Sequence, residues 1–312
     1  MLALAERPAT EGPEHRQPAS HQRSERGRGR DHGPRFRSPL RSRGEDGFAR
    51  VSPYTKEELE LSQTVLREAG RILEVARDQS VVLRLTGSLA VRALCEKHAA
   101  LLDELGRRPY RDIDLLAYSK QKRPITELFV QRGYVADRSI SQLQEFGIKR
   151  LIYEHPSSHI KVDVFMDELV MAHTIPFVGR LELTELTIPV TDLLLTKLQI
   201  HEITDNDLMD TIVLLAEHDV APATDGINVS YVTDIMRKDW GFYHTTMTNL
   251  DKVREATERY PALPAEVSSL VRTRLTVLKD AIEGSPKTQR WKMRARVGTR
   301  VRWYEDVHEV DR

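Results

Sequence analysis

The chain has 312 residues, and its 47 Lys plus Arg balance 47 Asp plus Glu, so the formal net charge is zero. Hydrophobic residues make up 40% and charged residues 30%, a composition typical of a water-soluble chain with one sizeable core. No run approaches the roughly 18 to 20 apolar residues of a membrane span. The single cysteine, Cys95, excludes an internal disulfide and a cysteine-based zinc cluster. We therefore expect a cytoplasmic protein without a membrane partner.

The first 52 residues differ in composition from the rest of the chain. Residues 1–50 contain 11 Arg, no Lys, 5 Pro and 6 Gly, and only five Leu, Ile, Val or Phe. Such a segment cannot bury enough apolar surface to offset its ordering entropy, so we predict a disordered arm over residues 1–52. Its basic run can touch nucleic acid, but the composition equally fits translated GC-rich sequence upstream of a mistaken start codon, and we assign it no function.

An α/β core is predicted over residues 53–190. Thr55 and Glu58 have the spacing of a capping box, which indicates a helix that ends near Asp78. Further helices are predicted over 89–98 and 124–132, and strands over 81–86, 113–118, 174–178 and 182–188. Residues 148–153 and 160–165 flank a turn-like segment and predict a hairpin.

A helical domain is predicted over residues 191–284, because apolar residues there recur at helical spacing. Its helices are expected at 191–203, 207–219, 229–239, 248–259 and 265–283. The overall prediction is an α+β fold, with a small mixed β-sheet flanked by helices and followed by this helical domain.

The tail, residues 285–312, combines seven basic residues between Lys287 and Arg302 with Trp291, Trp303 and Tyr304. Cations neutralise phosphates and aromatic rings stack on unpaired bases, so the tail is the best candidate for binding nucleic acid. The alternative is a terminal segment that packs on the core through its aromatic residues and leaves its arginines in water.

Three carboxylates fall inside predicted strands. Side chains alternate along a strand, so Asp112 and Asp114 point to the same face. If the strand that contains Asp163 pairs beside them, all three carboxylates line that face. Like charges held together repel each other unless a cation offsets them, and carboxylate oxygens are the ligands that hard divalent cations prefer. The pattern predicts a site for one or two Mg²⁺ ions, or Mn²⁺ in their place.

Gly87 and Ser88 lie where a predicted strand turns into a helix. Glycine allows a phosphate to approach the backbone, and the helix N-terminus offers free amides and a positive dipole end. The Ser88 hydroxyl adds a donor. A phosphate cradle followed by metal ligands suits a nucleoside triphosphate (NTP), with Asp163 orienting or deprotonating the attacking hydroxyl.

In this order, Gly87-Ser88, Asp112-Ile113-Asp114 and Asp163 resemble the motifs of the DNA polymerase β-like nucleotidyltransferase superfamily. Residues 191–198 and 206–210 are similar to the tail of the minimal bacterial nucleotidyltransferases, which include abortive-infection toxin proteins. The resemblance covers about residues 80–216. One position departs from the pattern: Asn206 stands where a basic residue is expected.

The resemblance implies a small mixed sheet and a magnesium-dependent transfer of a nucleotidyl group from an NTP to a hydroxyl of RNA, protein or a small molecule. It implies that Lys197 faces the triphosphate and that Asp207 opens the next helix. We expect Asp207, Asp210 and Arg111 in supporting positions around the site.

Two alternatives stay open at this point. Asn206 and the basic tail favour a non-catalytic nucleotide- or RNA-binding module that retains the fold. A toxin that acts beside an antitoxin partner is a third hypothesis, which the sequence does not decide.

Overall fold

The architecture is known from a computed structural model, which describes residues 54–137, 150–223 and 225–306. All of these residues belong to one compact unit. The predicted N-terminal arm and residues 307–312 of the predicted tail lie outside the described residues. Within the described ranges, no helix combines the length and the apolarity needed to cross a bilayer.

A five-stranded mixed sheet forms the centre of the N-terminal half. Its strands are β1 (Leu83–Leu85), β2 (Asp112–Ala117), β3 (Val135–Ala136), β4 (Arg150–Glu154) and β5 (Lys161–Met166). Their order across the sheet is β1-β2-β5-β4-β3, and β2 and β5 are parallel while the other pairs are antiparallel. The prediction of a mixed α+β chain with a small mixed sheet is confirmed, as is the predicted hairpin, which is the β4–β5 pair.

Among the described residues, four helices accompany this sheet: α1 (Lys56–Asp78), α2 (Gly87–Leu94), α3 (Ala99–Glu104) and α4 (Lys122–Gln131). The capping box at Thr55 and Glu58 is confirmed, because each side chain accepts a hydrogen bond from the other residue's backbone N–H. The α1 helix packs on β1 and β2. The α4 helix covers β4, where the Phe129 and Tyr153 rings stack with centroids 4.4 Å apart.

The described chain from residue 190 onward is mainly helical. Its helices are α5 (Val190–Leu198), α6 (Asp205–Glu217), α7 (Val229–Met236), α8 (Trp240–Arg259), α9 (Ala265–Gly284) and α10 (Gln289–Val297). Before this region, β6 (Glu168–Val170) pairs with β7 (Thr174–Pro176). Within it, β8 (Val220–Ala221) pairs with β9 (Ile227–Asn228). One cluster of buried hydrophobic residues runs from Val65 to Ile282, so the predicted core and helical domain share a single hydrophobic core.

Several predicted elements differ from the structure. The helix expected over 248–259 begins at Trp240, and the helix expected over 191–203 ends at Leu198. The helix expected over 89–98 ends at Leu94, and a separate helix, α3, follows. The strand expected over 182–188 is reduced to one bridge between Leu85 and Thr187. The Arg84 guanidinium donates to the carbonyls of Leu181 and Thr184, and the Leu85 backbone hydrogen-bonds to Leu186 and Ile188, so a side chain and one bridge hold this segment.

Candidate active site

The three predicted carboxylates lie on one face of the central sheet. Strand β2 pairs with β5 in parallel, and the register sets Asp114 directly beside Asp163. Asp112 precedes Asp114 by two residues and therefore projects to the same side. Asp112 and Asp114 are half-buried, and Asp163 is only 5% exposed. The structure thus brings these three side chains to neighbouring positions.

The alternation along β2 and β5 explains why these carboxylates share a face. The intervening residues Ile113, Leu115, Val162 and Val164 have no exposed surface. They belong to the hydrophobic core, so burial of this apolar face fixes which way each strand is turned. A shift of the register by one residue would bury the carboxylates and expose the aliphatic side chains.

Asp163 is held by a cation on the neighbouring strand. The Arg150 guanidinium of β4 donates a hydrogen bond to Asp163 Oδ2 at 2.6 Å. The same guanidinium lies 4.9 Å from the centre of the Phe165 ring. A buried carboxylate is costly unless it is ion-paired and hydrogen-bonded, and Arg150 supplies both contacts. Sequence reasoning missed Arg150, although it lies on the hairpin strand next to Asp163.

The side of the sheet that carries Asp112, Asp114 and Asp163, called the sheet face below, can be compared with the ligands that the expected metal requires. Asp112 and Asp114 offer the hard oxygen donors that Mg²⁺ or Mn²⁺ requires. In the part of the chain that the structure describes, however, no three His, Cys, Asp or Glu side chains are arranged as a metal-binding group. The donor set therefore fits an ion held by Asp112 and Asp114, with Asp163 beside them.

Gly87 brings the start of helix α2 against Asp114. The Thr86 N–H donates to the Asp114 carbonyl at 3.0 Å, which ties this turn to β2. Gly87 has φ +62°, a conformation that L side chains rarely adopt. A Cβ atom at this position would lie 2.5 Å from Asp114 Oδ2. Glycine is therefore required here by both the backbone angle and the close approach.

The N-terminus of α2 provides donors at the same place. Thr86 is the N-cap, and its side chain makes no capping hydrogen bond to the first turn. The Thr86 hydroxyl is buried and has no hydrogen-bond partner among the described residues. Ser88 is half-buried in the first turn. The amides of this turn lie at the positive end of the helix dipole, where an anionic group is stabilised.

Lys197, Asp207 and Asp210 form a separate cluster, in which Lys197 and Asp210 are buried and Asp207 is partly buried. The Lys197 ammonium of α5 lies 2.9 Å from Asp207 Oδ1 and 2.9 Å from Asp210 Oδ2, both on α6. Burial alone would lower the pKa of Lys197, but the carboxylates of Asp210 and Asp207 outweigh it and raise that pKa above its ordinary value. The predicted contact of Lys197 with a triphosphate stays a prediction, since its ammonium already has two carboxylate partners.

Arg107 completes the cluster, and sequence reasoning missed it. Its Nε donates to Asp210 Oδ1 at 2.7 Å, and its Nη2 donates to Asp210 Oδ2 at 3.2 Å. The Arg108 N–H donates to Asn206 Oδ1 at 3.1 Å. Asn206, the position that departs from the family pattern, therefore fastens the loop that leads into β2. Nothing in the local sequence around Arg107 indicates this distant partner.

Arg111 lies next to Asp112 in sequence but points to another element. Its Nη2 donates to Glu58 Oε1 in the first turn of α1 at 2.7 Å. Both side chains are partly exposed, and the pair helps to hold the start of α1 beside β2. The expected supporting role of Arg111 at the carboxylates stays a prediction.

No protein-family model and no curated protein matches this chain. The resemblance to nucleotidyltransferases therefore depends on the residues of the sheet face, the α2 N-terminus and the Lys197 cluster alone.

Proposed function

We propose that this chain is a nucleotidyltransferase of the DNA polymerase β-like kind, which transfers a nucleotidyl group from an NTP to a hydroxyl acceptor. The observation that carries the proposal is the register that sets Asp114 beside Asp163, with Asp112 on the same face. A cytoplasmic location is part of the proposal.

In this proposal the sheet face binds the metal ion and the N-terminus of α2 binds the phosphates. Asp112 and Asp114 hold Mg²⁺, or Mn²⁺ in its place, and the bound ion would offset charge on the phosphates. The first-turn amides of α2 and the Ser88 hydroxyl bind phosphate oxygens, and Gly87 lets this phosphate-binding turn approach the Asp114 carboxylate. Lys197 is the proposed cationic contact of the triphosphate.

Asp163 is proposed as the group that orients the acceptor hydroxyl and accepts its proton. Its Oδ2 is fixed by Arg150 at 2.6 Å, which defines the direction of the carboxylate. A general base has to lie within hydrogen-bond reach of the proton that it removes. Asp163 is available for this role in the proposal because it is adjacent to Asp114 in the register.

The first experiment follows radioactive label from the two ends of the triphosphate. The protein is incubated with each NTP, labelled at the α- or the γ-phosphate, in Mg²⁺ or Mn²⁺, together with RNA, protein and small hydroxyl compounds as separate acceptors. Nucleotidyl transfer attaches the α-label and releases pyrophosphate, whereas a kinase would attach the γ-label. Attachment of the γ-label alone contradicts the proposal.

Substitutions then test the sheet face. We expect Asp112→Asn and Asp114→Asn each to reduce transfer by on the order of 100-fold or more, because each removes a charge used in the transition state. Asp78→Asn, an exposed change at the end of α1, is the matched control and should retain full activity. Unchanged transfer in both sheet variants would rule out this site.

A second function, a non-catalytic nucleotide-binding module, is favoured by the contacts of the same residues. Asp163 is engaged by Arg150, and Lys197 is engaged by two carboxylates. In the module, NTP and Mg²⁺ bind with measurable heat in calorimetry, and no label is transferred to any acceptor. Binding that disappears in Asp114→Asn, together with absent transfer, would select the module over the enzyme.

A further inference from the structure

Helix α10 and the 3-10 turn that follows it, Gly298–Arg300, present a row of cations to solvent. Arg290, Lys292, Arg296 and Arg300 are all exposed. None of the four makes an ion pair or a side-chain hydrogen bond with any other described residue. The sequence from 286 to 304 also contains no acidic residue. These four residues form the cationic row of α10, whose charges are therefore not neutralised by neighbouring side chains.

The opposite side of α10 anchors the helix to the body of the protein. Trp291 meets the Tyr243 ring edge to face, with centroids 5.2 Å apart. The Arg294 guanidinium lies 4.7 Å from the centre of the Trp240 ring and donates to the Gly298 carbonyl at 2.7 Å. These contacts fix the rotation of the helix, so the cationic row is held outward rather than left on a flexible chain.

Further contacts hold the end of the tail. The Trp303 Nε1–H donates to Thr245 Oγ1 of α8 at 3.1 Å, and the Tyr304 and His201 rings stack with centroids 3.6 Å apart. The aromatic residues of the tail are therefore used for packing. This is the alternative considered from the sequence, and it leaves the cations, not the rings, as the groups that face a partner.

The spacing of the cations matches a linear polyanion. Lys292 and Arg296 are four residues apart and lie along one side of α10, roughly 6 Å apart in rise, and Arg300 follows in the 3-10 turn after Gly298. A nucleic-acid strand carries a regular series of phosphates, and cations arranged in this way displace its condensed counterions. Because the rings are turned inward, binding would be to the backbone and would depend little on base sequence.

A lipid surface fits the same helix less well. Met293, Val297 and Val301 are exposed at 61%, 41% and 57%. They recur at the same four-residue spacing as the cations, but none of them carries an aromatic ring, and Trp291 is turned toward the protein. Membrane-surface helices bind through a continuous apolar face with large side chains, which α10 does not present outward.

We propose that the cationic row of α10 is a nucleic-acid-binding surface that contacts the phosphate backbone. The proposal is independent of the function proposed for the sheet face, since it involves neither Asp112 nor Asp114. An inactive sheet face would leave it unchanged.

The test uses the full chain and a fluorescein-labelled single-stranded RNA of mixed sequence, followed by fluorescence anisotropy from 25 to 300 mM KCl. In Lys292→Gln/Arg296→Gln/Arg300→Gln we expect binding at low salt to weaken at least tenfold. The plot of log K against log salt should become shallower by about 2, because three cations each contribute about 0.7 on a single strand. The residues are exposed, so the thermal unfolding midpoint should not change.

The matched control removes three exposed cations elsewhere, in Arg67→Gln/Arg77→Gln/Lys97→Gln. Its affinity should stay within twofold of the natural chain, and any contribution from the Arg-rich first 50 residues is equal in all three proteins. If the control weakened RNA binding equally, the net charge of the protein rather than the cationic row would explain the effect, and the proposal would be overturned. Unchanged RNA binding in the α10 variant would also overturn the proposal. Binding to phosphatidylglycerol vesicles is measured in parallel, and a variant that loses only vesicle binding would contradict the proposal as well.

Discussion

Two groups of acidic side chains occur at different depths in the molecule. On the helical side, Asp210 is buried, Asp207 is partly buried, and both are matched by two cations, Lys197 and Arg107. On the sheet, Asp112 and Asp114 are half-buried on the same face as Asp163. Asp210 has no exposed surface, whereas Asp112 and Asp114 each retain part of theirs.

This difference separates a structural role from a role in binding. In the helical group, every charge has a partner from the chain itself, and loss of one partner leaves a charge stranded in a medium of low polarity. In the sheet group, Asp112 and Asp114 are half-buried on one face of the sheet, where they border solvent. We therefore expect stability to depend on the first group and activity on the second.

The largest effect on stability is expected from Lys197→Met. The change leaves Asp207 without its cation and Asp210 with Arg107 alone, and removal of one partner from a buried pair costs about 3–5 kcal/mol. Asp114→Asn should change the free energy of unfolding by less than about 1 kcal/mol, because the side chain is half-buried. Urea unfolding followed by circular dichroism measures both variants. Equal losses in the two would remove the distinction between the groups.

A smaller effect is expected from Gly87→Ala. The left-handed backbone should cost about 1–2 kcal/mol for a residue with a Cβ atom. The new Cβ would also displace the Asp114 carboxylate, which lies 2.5 Å from its ideal position. Both stability and nucleotide binding should therefore decrease.

Gly179→Ala provides the matched control for this strain. Gly179 has φ +72°, and a Cβ added there would meet nothing within 4 Å. We expect a similar loss of stability and no loss of nucleotide binding, measured by calorimetry with NTP and Mg²⁺. If Gly179→Ala impaired nucleotide binding as much as Gly87→Ala, strain rather than the contact with Asp114 would explain the defect.

The smallest effect is a pH dependence of the helical group. Burial would raise the pKa of Asp207, but Lys197 and Thr204 outweigh it and lower that pKa below its ordinary value of 3.8. A lowered carboxyl pKa stabilises the fold above pH 3.8, and this contribution is lost as the pH falls through the lower, folded value. The free energy of unfolding should fall more steeply below pH 3.8 in the natural chain than in Asp207→Asn. Parallel curves from urea titrations would contradict the assignment.

Local features of the fold could be predicted from the sequence. The capping box at Thr55, the β4–β5 hairpin and the helix that begins at Ala265 follow from spacing and turn residues within short windows. The break at Cys95 was missed because no Gly or Pro marks it. The helix α10 was missed because its pattern is basic rather than apolar.

The parallel pairing of β2 with β5 could only be assumed from the sequence. The helix α4 and the strands β3 and β4 intervene, and no local signal specifies which strands become neighbours. The same limit applies to the partners of the site. Arg150 reaches Asp163 across a strand pair, and Arg107 reaches Asp210 between distant elements, so both depend on the assembled fold.

The loop that enters β2 is fastened to helix α6 at two successive residues. The Arg107 side chain donates a hydrogen bond to Asp210, and the Arg108 N–H donates one to Asn206, shortly before the strand starts at Asp112. Packed elements joined by so short a connection move together. A substitution that shifts α6 will therefore displace Asp112, the candidate metal ligand at the start of β2. The positions of the carboxylates on the sheet thus depend on a helix that contributes none of them.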